Sequence, residues 1–282
     1  MRLKDALSQA YDILDSAGIQ DARLESEVLL RHTLVINRTQ LYLDLDKNIN
    51  PEQKEAFFNL IDRRLNGEPS AYITGIKEFY GYEFNVNRRV LIPRPESELL
   101  VEKALEIAGN LKKPIIADIG TGCGAIAVSI ALKLPKAKIY AIDISARALE
   151  VARYNCQKYD VADRITLLQG DLLKPLPEAA DIIIANLPYV RQEDIPPKSY
   201  EPTIALDGGE TGSWQIERLL PMVAVKLRRG GNLLIEIGLG QAISIINIIG
   251  SLYPDSIVET LKDLAGIKRV IRVTFKQSAF LI

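Results

Sequence analysis

The stretch Ile115-Ile-Ala-Asp-Ile119, followed by Gly120-Thr-Gly-Cys-Gly124 and Ala125-Ile-Ala-Val-Ser-Ile-Ala-Leu132, decides the fold. The first segment is an apolar run with the length of a buried strand, and the last is good helix-forming sequence that ends near Pro135. The glycines between them let the backbone approach a bound molecule closely. This order of strand, glycine loop and helix predicts an α/β sheet with a ligand site at its edge.

Two further strands are predicted downstream, and an acidic residue lies at the end of each. Ile139-Tyr-Ala-Ile-Asp143 places a carboxylate about twenty residues after the glycine loop, where such folds bind ribose hydroxyls. Asp143 is therefore the predicted ribose ligand. Ile165-Thr-Leu-Leu-Gln169 ends just before Asp171 and Leu172, which could bind an adenine amino group and pack on its ring. A turn aspartate followed by a core leucine is the alternative for that pair.

The glycine loop favours S-adenosylmethionine over a dinucleotide as the cofactor. Its spacing is Gly-x-Gly-x-Gly rather than that of the pyrophosphate fingerprint, and a sulfonium cofactor has no pyrophosphate to bind. The chain has one histidine, His32, far upstream of the loop, so none is expected near the site to move the proton of an alcohol. Asp118, just before the glycines, either faces the charged amino acid end of the cofactor or only receives N–H groups of the loop.

The tetrapeptide Asn186-Leu-Pro-Tyr189 follows an apolar run that ends at Ala185, so it lies at the end of another predicted buried strand. Pro188 has no N–H and pushes Leu187 towards an extended conformation, which lets the Leu187 carbonyl point into a pocket. With the Asn186 side-chain oxygen, this gives two acceptors for the two hydrogens of a planar NH₂ group, on which Tyr189 can stack. An ordinary strand-to-loop turn is the alternative.

These motifs resemble those of class I S-adenosylmethionine-dependent methyltransferases that methylate amino groups, and further stretches resemble the release factor glutamine methyltransferase family, also called HemK. The resemblance covers nearly the whole chain, and its most specific part is Leu91-Ile-Pro-Arg-Pro-Glu-Ser-Glu98. One departure is Leu187, where the family usually has a proline. The other matching stretches are Glu68 to Gly75, Glu78 to Gly81, Glu201-Pro202, Ala205 to Gly209, Glu236-Ile-Gly238, Gln241, Asp263 to Gly266 and Arg269-Val270.

The resemblance implies a doubly wound, mostly parallel seven-stranded sheet with a small N-terminal helical bundle and a linking β-hairpin. It also implies methyl transfer from S-adenosylmethionine to the side-chain amide nitrogen, N5, of the glutamine in the Gly-Gly-Gln loop of peptide chain release factors. The residues expected to hold that glutamine and to be catalytic are Asn186, Leu187, Pro188 and Tyr189. The residues expected to contact the cofactor are Asp118, Gly120, Thr121, Gly122, Cys123, Gly124, Asp143, Asp171, Leu172 and Asn186.

Three segments differ in their sequence pattern. Residues 1–66 have helical spacing of apolar side chains and predict a helical bundle, which we expect to bind the substrate protein. Residues 67–92 contain alternating aromatic and polar residues and predict a linking hairpin. Residues 93–282 alternate strands with helices, as expected of the methyltransferase domain, and the strands near 233–236 and 270–273 suggest an antiparallel edge.

Composition narrows the possible partners. The 282 residues carry a net charge of −1, so no global basic field demands a nucleic acid. Two cysteines and one histidine cannot supply a structural zinc set, and no metal is expected. Because no segment has the apolar length of a signal or a membrane span, we expect a cytoplasmic protein without a membrane partner. A monomer is expected.

Three functions remain open from the residues. The favoured one is methylation of a release factor glutamine, with a ribosomal protein glutamine as a related acceptor. The second is N6-adenine methylation of DNA, because Asn-x-Pro-Tyr would also hold the edge of an extruded base. The third is a non-enzymatic binding module. It would be favoured by loss of the asparagine or the acidic residues, and all of these are present.

Overall fold

The computed structural model describes residues 1–276 and divides the chain into two compact units, Met1–Ile76 and Lys77–Ile282. The helical unit therefore extends ten residues beyond the boundary predicted at residue 66. The reason is a short helix, Ser70–Thr74, whose Ala71, Tyr72 and Ile73 are buried.

Amphipathic helices build the first unit. They are α1 (Leu3–Ser16), α2 (Ala22–Leu34), α3 (Arg38–Leu43), α4 (Pro51–Leu65) and α5 (Ser70–Thr74). Their apolar faces form one core that includes Leu14, Leu29, Leu30, Leu41, Phe57 and Ile61. Asn50 begins α4 by accepting a hydrogen bond from the Gln53 amide, whose side chain in turn accepts from the Asn50 amide. Leu24 on α2 is instead half exposed.

A two-stranded hairpin follows, formed by β1 (Ile76–Phe79) and β2 (Tyr82–Asn85). The predicted linking hairpin is thus present, but only in the middle of residues 67–92, because α5 occupies the beginning of that segment. Tyr80 and Gly81 both have positive φ at the turn. The buried Phe79 and Phe84 rings meet edge to face, with centroids 6.1 Å apart.

The second unit is built on a seven-stranded sheet, as predicted, and the strand order within the described residues is β5-β4-β3-β6-β7-β9-β8. Its strands are β3 (Ile115–Ile119), β4 (Lys138–Asp143), β5 (Ile165–Gln169), β6 (Ala180–Ala185), β7 (Leu227–Glu236), β8 (Ile257–Lys262) and β9 (Lys268–Thr274). Strands β3 to β7 are parallel, and β9 is antiparallel to both β7 and β8. The accompanying helices are α6 (Glu98–Ala108), α7 (Ala125–Lys133), α8 (Ala146–Lys158), α9 (Trp214–Lys226) and α10 (Ala242–Leu252).

Strand register brings the predicted site residues to one edge of this sheet. Ile119, the last residue of β3, pairs with Ile142 of β4 on one side and with Ala185 of β6 on the other. Because these strands are parallel, Gly120, Asp143 and Asn186 all emerge at their carboxyl ends. No helix within residues 1–276 has the length and apolar character needed to cross a membrane.

Candidate active site

A cavity of about 300 Å³ lies at the carboxyl ends of β3, β4 and β6, entirely within the second unit. Its wall includes the glycine loop from Gly120 to Cys123, the carboxylate-bearing Asp143, and Asn186. Most of the remaining wall is apolar. The principal apolar contributors are Phe79, Leu91, Ile142, Leu172, Leu187 and Ile204. Cavities of this kind, with a few polar groups in an apolar wall, are typical small-molecule sites.

The glycine loop has a backbone that only glycine adopts without strain. Gly120, Gly122 and Gly124 all have positive φ, at 74°, 56° and 82°. A Cβ on Gly120 would lie 3.1 Å from the Asn186 carbonyl oxygen, so the loop and the Asn186 segment approach each other closely. A Cβ on Gly124 would lie 3.3 Å from that of Ala152, so this glycine, which precedes α7, permits close packing against α8 instead.

Asp143 is held at the edge of the cavity by two backbone amides. Its Oδ2 accepts from Gly122 N–H at 2.9 Å and its Oδ1 accepts from Ser145 N–H at 2.9 Å. Burial raises the pKa of Asp143, although these amide donors oppose the rise. A carboxylate can accept about four hydrogen bonds, so two acceptor sites remain for ligand hydroxyl groups.

Asp118 lies beneath the loop rather than in the cavity wall. Its side chain is 1% exposed, and its Oδ2 accepts from the Thr121 hydroxyl at 2.6 Å. Burial raises its pKa to about 6. Of the two roles considered from the sequence, this geometry favours a carboxylate that holds the loop. The Asp118 Oδ1 is buried without a hydrogen-bond partner among the described residues, and its contact with the cofactor stays a prediction.

Asp171 and Leu172 both line the cavity, beside the beginning of α9. Asp171 Oδ2 forms ion pairs with Arg218 at 2.6 Å and Lys174 at 2.8 Å, and the Lys174 hydrogen bond is the largest cause of its lowered pKa. The Arg218 guanidinium in turn lies 4.8 Å from the centre of the Trp214 ring. Asp171 is therefore an ionised, oriented acceptor, and an adenine amino group would have to share it with two cations.

Asn186 belongs to a chain of hydrogen bonds that leads away from the cavity. Its Nδ2 donates to Ser97 Oγ at 2.9 Å, and the Ser97 hydroxyl donates to Glu236 Oε2 at 2.6 Å. Ser97 and Glu236 are both buried, at 2% exposure each. Burial raises the pKa of Glu236 to about 7, while the Ser97 and Tyr189 hydrogen bonds oppose this rise.

Tyr189 is the member of the tetrapeptide that does not line the cavity. Its hydroxyl donates to Glu236 Oε1 at 3.3 Å, and burial raises its pKa to about 12. Its carbonyl accepts from the Gln241 side chain at 3.1 Å. A Cβ on Gly238 would lie 3.1 Å from the Tyr189 ring, so the ring lies against the backbone after β7. Its stacking on a substrate stays a prediction.

Ion pairs connect the other stretches on which the family resemblance rests. Arg94 Nη2 lies 2.5 Å from Glu201 Oε2, and the Glu201 Oε1 accepts from the Ile92 amide at 3.0 Å. Arg269 Nε lies 2.8 Å from Asp263 Oδ2, and its Nη2 lies 3.5 Å from Glu96 Oε1. These contacts tie segments distant in sequence into one frame around the Asn186 loop.

The thiols are poorly suited to chemistry. Cys123 and Cys156 are free and buried, and burial raises the pKa of Cys123 to about 12 and that of Cys156 to about 11. Cysteine acts as a nucleophile in its thiolate form, which these pKa values disfavour near neutral pH. Within residues 1–276, no group of three or more His, Cys, Asp or Glu side chains is placed to hold a metal ion.

Two family models match the chain. Residues 5–75 match the PrmC N-terminal domain, and residues 95–205 match the methyltransferase small domain. The release factor glutamine methyltransferase of Moorella thermoacetica is 41% identical over 271 residues, which cover 94% of this chain and 96% of that protein. The protein of the same name from Rhodopirellula baltica is 39% identical over 279 residues, with 94% and 93% covered.

This chain belongs to the release factor glutamine methyltransferase family. A crystal structure of a methyltransferase from Pyrococcus furiosus has the same fold, with a TM-score of 0.52 at 21% identity, and covers 70% of this chain and 90% of that one. Family and fold together make S-adenosylmethionine the methyl donor. The cavity fits this cofactor, since it combines apolar walls with the Asp143 carboxylate. The glycine loop also leaves open space: a Cβ on Gly122 would have its nearest neighbour, the Gly120 carbonyl oxygen, at 4.0 Å.

Sequence reasoning missed Ser97 and Glu236 as site residues of this family member. Glu236 ends the apolar strand β7, in the same position as Asp143 at the end of β4. Ile235 pairs with Ala185, so the residues that follow them, Glu236 and Asn186, are neighbours at the sheet edge. The strand-end signal that identified Asp143 could therefore have identified Glu236. Ser97, which precedes α6, lies in the Leu91–Glu98 stretch of the family resemblance, but the resemblance assigned it no role.

Proposed function

We propose that this protein methylates the side-chain amide nitrogen, N5, of the glutamine in the Gly-Gly-Gln loop of peptide chain release factors. The observation that carries the proposal is the position of Asn186 in the cavity wall, with its side-chain NH₂ group donating to Ser97. This leaves the side-chain oxygen Oδ1 as the acceptor for an incoming amide. Relatives named release factor glutamine methyltransferase, which are 36–41% identical over most of the chain, support the same reaction. Neither a DNA nor a ribosomal protein acceptor is favoured by a comparable observation.

Asn186 and Leu187 act by orienting the glutamine amide. The Asn186 side-chain oxygen and the Leu187 carbonyl accept hydrogen bonds from the two hydrogens of the NH₂ group, which fixes the plane of a poorly nucleophilic nitrogen. Leu replaces the usual proline without loss because only its backbone carbonyl is needed and Pro188 keeps it extended. Tyr189 holds the loop through Glu236 and Gln241. Its ring lies outside the cavity wall, so stacking on the glutamine amide requires the ring to turn towards the substrate.

The glycine loop and Asp143 hold the cofactor. Gly120, Thr121, Gly122 and Cys123 approach it with their backbone, and Asp143 accepts hydrogen bonds from its ribose hydroxyls. Leu172 packs on the adenine, and Asp171 accepts from its amino group beside Arg218. Gly124 and Asp118 act indirectly, through packing against α8 and through Thr121. When bound, S-adenosylmethionine supplies an electrophilic methyl group, and positioning of the amide nitrogen provides much of the rate enhancement.

The helical unit Met1–Ile76 is proposed to bind the release factor. Its surface exposes large apolar side chains, including Val35 at 91% and Leu43 at 76% exposure, which a protein partner can cover. A cytoplasmic location is part of this proposal, since release factors act during translation, and so are a monomeric state and the absence of a metal.

Replacing Asp143 by alanine is expected to weaken binding of S-adenosylhomocysteine by about tenfold to a hundredfold, because hydrogen bonds to a charged acceptor contribute about 1.5–3 kcal/mol. Isothermal titration calorimetry measures the change. The exposed Asp255→Ala serves as the control and should bind as the natural chain does. Unchanged affinity in Asp143→Ala would exclude it as a ribose ligand.

The acceptor is identified by incubating the purified chain with methyl-labelled S-adenosylmethionine and four acceptors in parallel. These are a release factor, the same factor with its loop glutamine replaced by alanine, ribosomes and plasmid DNA. We expect label only in the intact release factor, at the glutamine. Label in DNA or ribosomes but not in the release factor would overturn the proposal.

A further inference from the structure

A buried carboxylate, that of Glu236, is hydrogen-bonded to side chains beside the groups proposed to hold the glutamine. Glu236 is 2% exposed, and both of its oxygens accept hydrogen bonds from the Asn186 side of the site. Oε2 accepts from the Ser97 hydroxyl at 2.6 Å, and Oε1 accepts from the Tyr189 hydroxyl at 3.3 Å. Ser97 Oγ also accepts from Asn186 Nδ2 at 2.9 Å. Glu236 therefore contacts the proposed glutamine-binding residues in two ways, directly at Tyr189 and through Ser97 at Asn186.

The donor and acceptor in each of these hydrogen bonds follow from the number of hydrogens available. A serine hydroxyl has one hydrogen, and an ionised carboxylate can only accept. Because Ser97 donates its hydrogen to Glu236, it can offer Asn186 only a lone pair. Asn186 must then direct its NH₂ group to Ser97, and its carbonyl oxygen is turned away from Ser97. An asparagine amide has nearly the same shape in both orientations, so the choice is made by the charge on Glu236.

We propose that Glu236 is a positioning residue for methyl transfer, whose ionised carboxylate acts through Ser97 to fix Asn186 with its carbonyl oxygen available to the glutamine amide. The inference rests on the proposed function for its consequence in catalysis. Its structural content, the orientation of the Asn186 amide, stands on the described contacts alone.

Protonation of Glu236 removes this constraint. A neutral carboxyl can donate its own hydrogen to Ser97 Oγ, which allows the Ser97 hydroxyl to donate to Asn186 Oδ1. The Asn186 NH₂ group would then face the cavity, where it repels the NH₂ group of a glutamine instead of accepting from it. Since burial raises the pKa of Glu236 to about 7, the switch between the two orientations falls near neutral pH.

The groups that face Glu236 tune this switch in opposite directions. Glu96, in the segment before α6, raises the pKa of Glu236 by charge repulsion, and Arg269, at the start of β9, lowers it. The hydrogen bonds from Ser97 and Tyr189 also lower it. Arg94 is the further cation near this cluster, since it acts on Tyr189. Tyr189→Phe should therefore raise the pKa of Glu236, whereas Glu96→Gln should lower it.

The orientation is tested on the full chain, without substrate, by the ¹H–¹⁵N signals of the Asn186 side-chain amide, assigned by their loss in Asn186→Ala. We expect these signals to titrate with a midpoint near pH 7, from the pKa of Glu236. The midpoint should move up in Tyr189→Phe and down in Glu96→Gln, and the titration should vanish in Glu236→Gln. These opposite shifts identify Glu236 as the group whose titration the Asn186 amide reports. Persistence of the titration in Glu236→Gln would overturn the inference.

The consequence for catalysis is tested by the pH dependence of turnover with a release factor as substrate. Turnover of the natural chain should fall about tenfold between pH 8 and pH 6, as the ionised fraction of a group with a midpoint near 7 falls. Glu236→Gln and Ser97→Ala should be slow and should lack this acidic limb of the pH profile. Ser97→Thr retains the hydroxyl and should show the limb. The exposed Glu102→Gln is the matched control and should keep the limb.

The two proposals fail separately. If the amide signals titrate as expected but no label enters the release factor, the proposed acceptor is wrong, while the orientation of the Asn186 amide by Glu236 stands. If the release factor is methylated but Ser97→Ala keeps the same pH limb, Glu236 does not act through Ser97 and the inference is wrong.

Discussion

Replacing Asn186 by alanine is expected to lower the turnover of release factor methylation by about a hundredfold or more, and to change the affinity for S-adenosylmethionine far less. The side chain lines the cavity, and its oxygen is one of two proposed acceptors for the glutamine NH₂ group. Without it, the amide can rotate about the remaining hydrogen bond. The nitrogen then spends little time in line with the methyl group, whereas the cofactor keeps Asp143 and the glycine loop.

The measurement for Asn186→Ala is a single-turnover methyl-transfer assay beside a cofactor titration. Asn247→Ala provides the matched control, because Asn247 is an exposed asparagine on α10 and should leave both quantities unchanged. Equal losses in turnover and in cofactor affinity would indicate that Asn186 holds the cofactor rather than the glutamine. A loss in cofactor affinity without a loss in turnover would contradict the proposed role of Asn186 in holding the glutamine amide.

The sheet could be predicted from sequence because its central strands are short, continuous apolar runs. The central strand Ile115–Ile119 and the edge strand Ile165–Gln169 have the predicted ends, and Ala125–Lys133 extends the predicted helix by one residue. A parallel strand buried on both faces allows few other interpretations. The ligand edge followed from the same runs, since residues after parallel strands lie together at one edge, as Gly120, Asp143 and Asn186 do.

Tertiary contacts decide what the local pattern could not. Ser97 and Glu236 are separated by 139 positions, and no local spacing indicates that they share a hydrogen bond. The direction of the Asp118 carboxylate depends on the Thr121 hydroxyl, so a strand-end acid alone did not reveal whether it faces the cavity or the loop. Likewise, five residues at Ser70–Thr74 are too few to show helical periodicity beside an alternating aromatic pattern.

Glu236→Gln is expected to make the protein more stable at pH 8 while making it a slower enzyme. The folded-state pKa of Glu236, about 7, lies above the value of about 4.3 for an unfolded glutamate. The stability that its neutral form provides is therefore fully present below the unfolded pKa and is lost as the pH rises through 7. Glutamine has the shape and hydrogen-bonding groups of the neutral form at every pH, so it avoids this loss.

The difference in the free energy of unfolding between Glu236→Gln and the natural chain should grow by about 3 kcal/mol between pH 5 and pH 8. Urea unfolding at the two pH values measures it, and the exposed Glu102→Gln should show no such growth. Asp118, also buried with a raised pKa, is present in both chains and cancels in the comparison.

Stability and turnover together distinguish two reasons for the presence of Glu236. If its hydrogen bonds to Ser97 and Tyr189 served only to hold the loop, removing the charge would give an equally active protein, or a less stable one at pH 8. A variant that is more stable but slower would instead show that the chain carries a buried charge against its own stability. Proteins accept such a cost at sites where the charge orients a catalytic group, and here that group is the Asn186 amide.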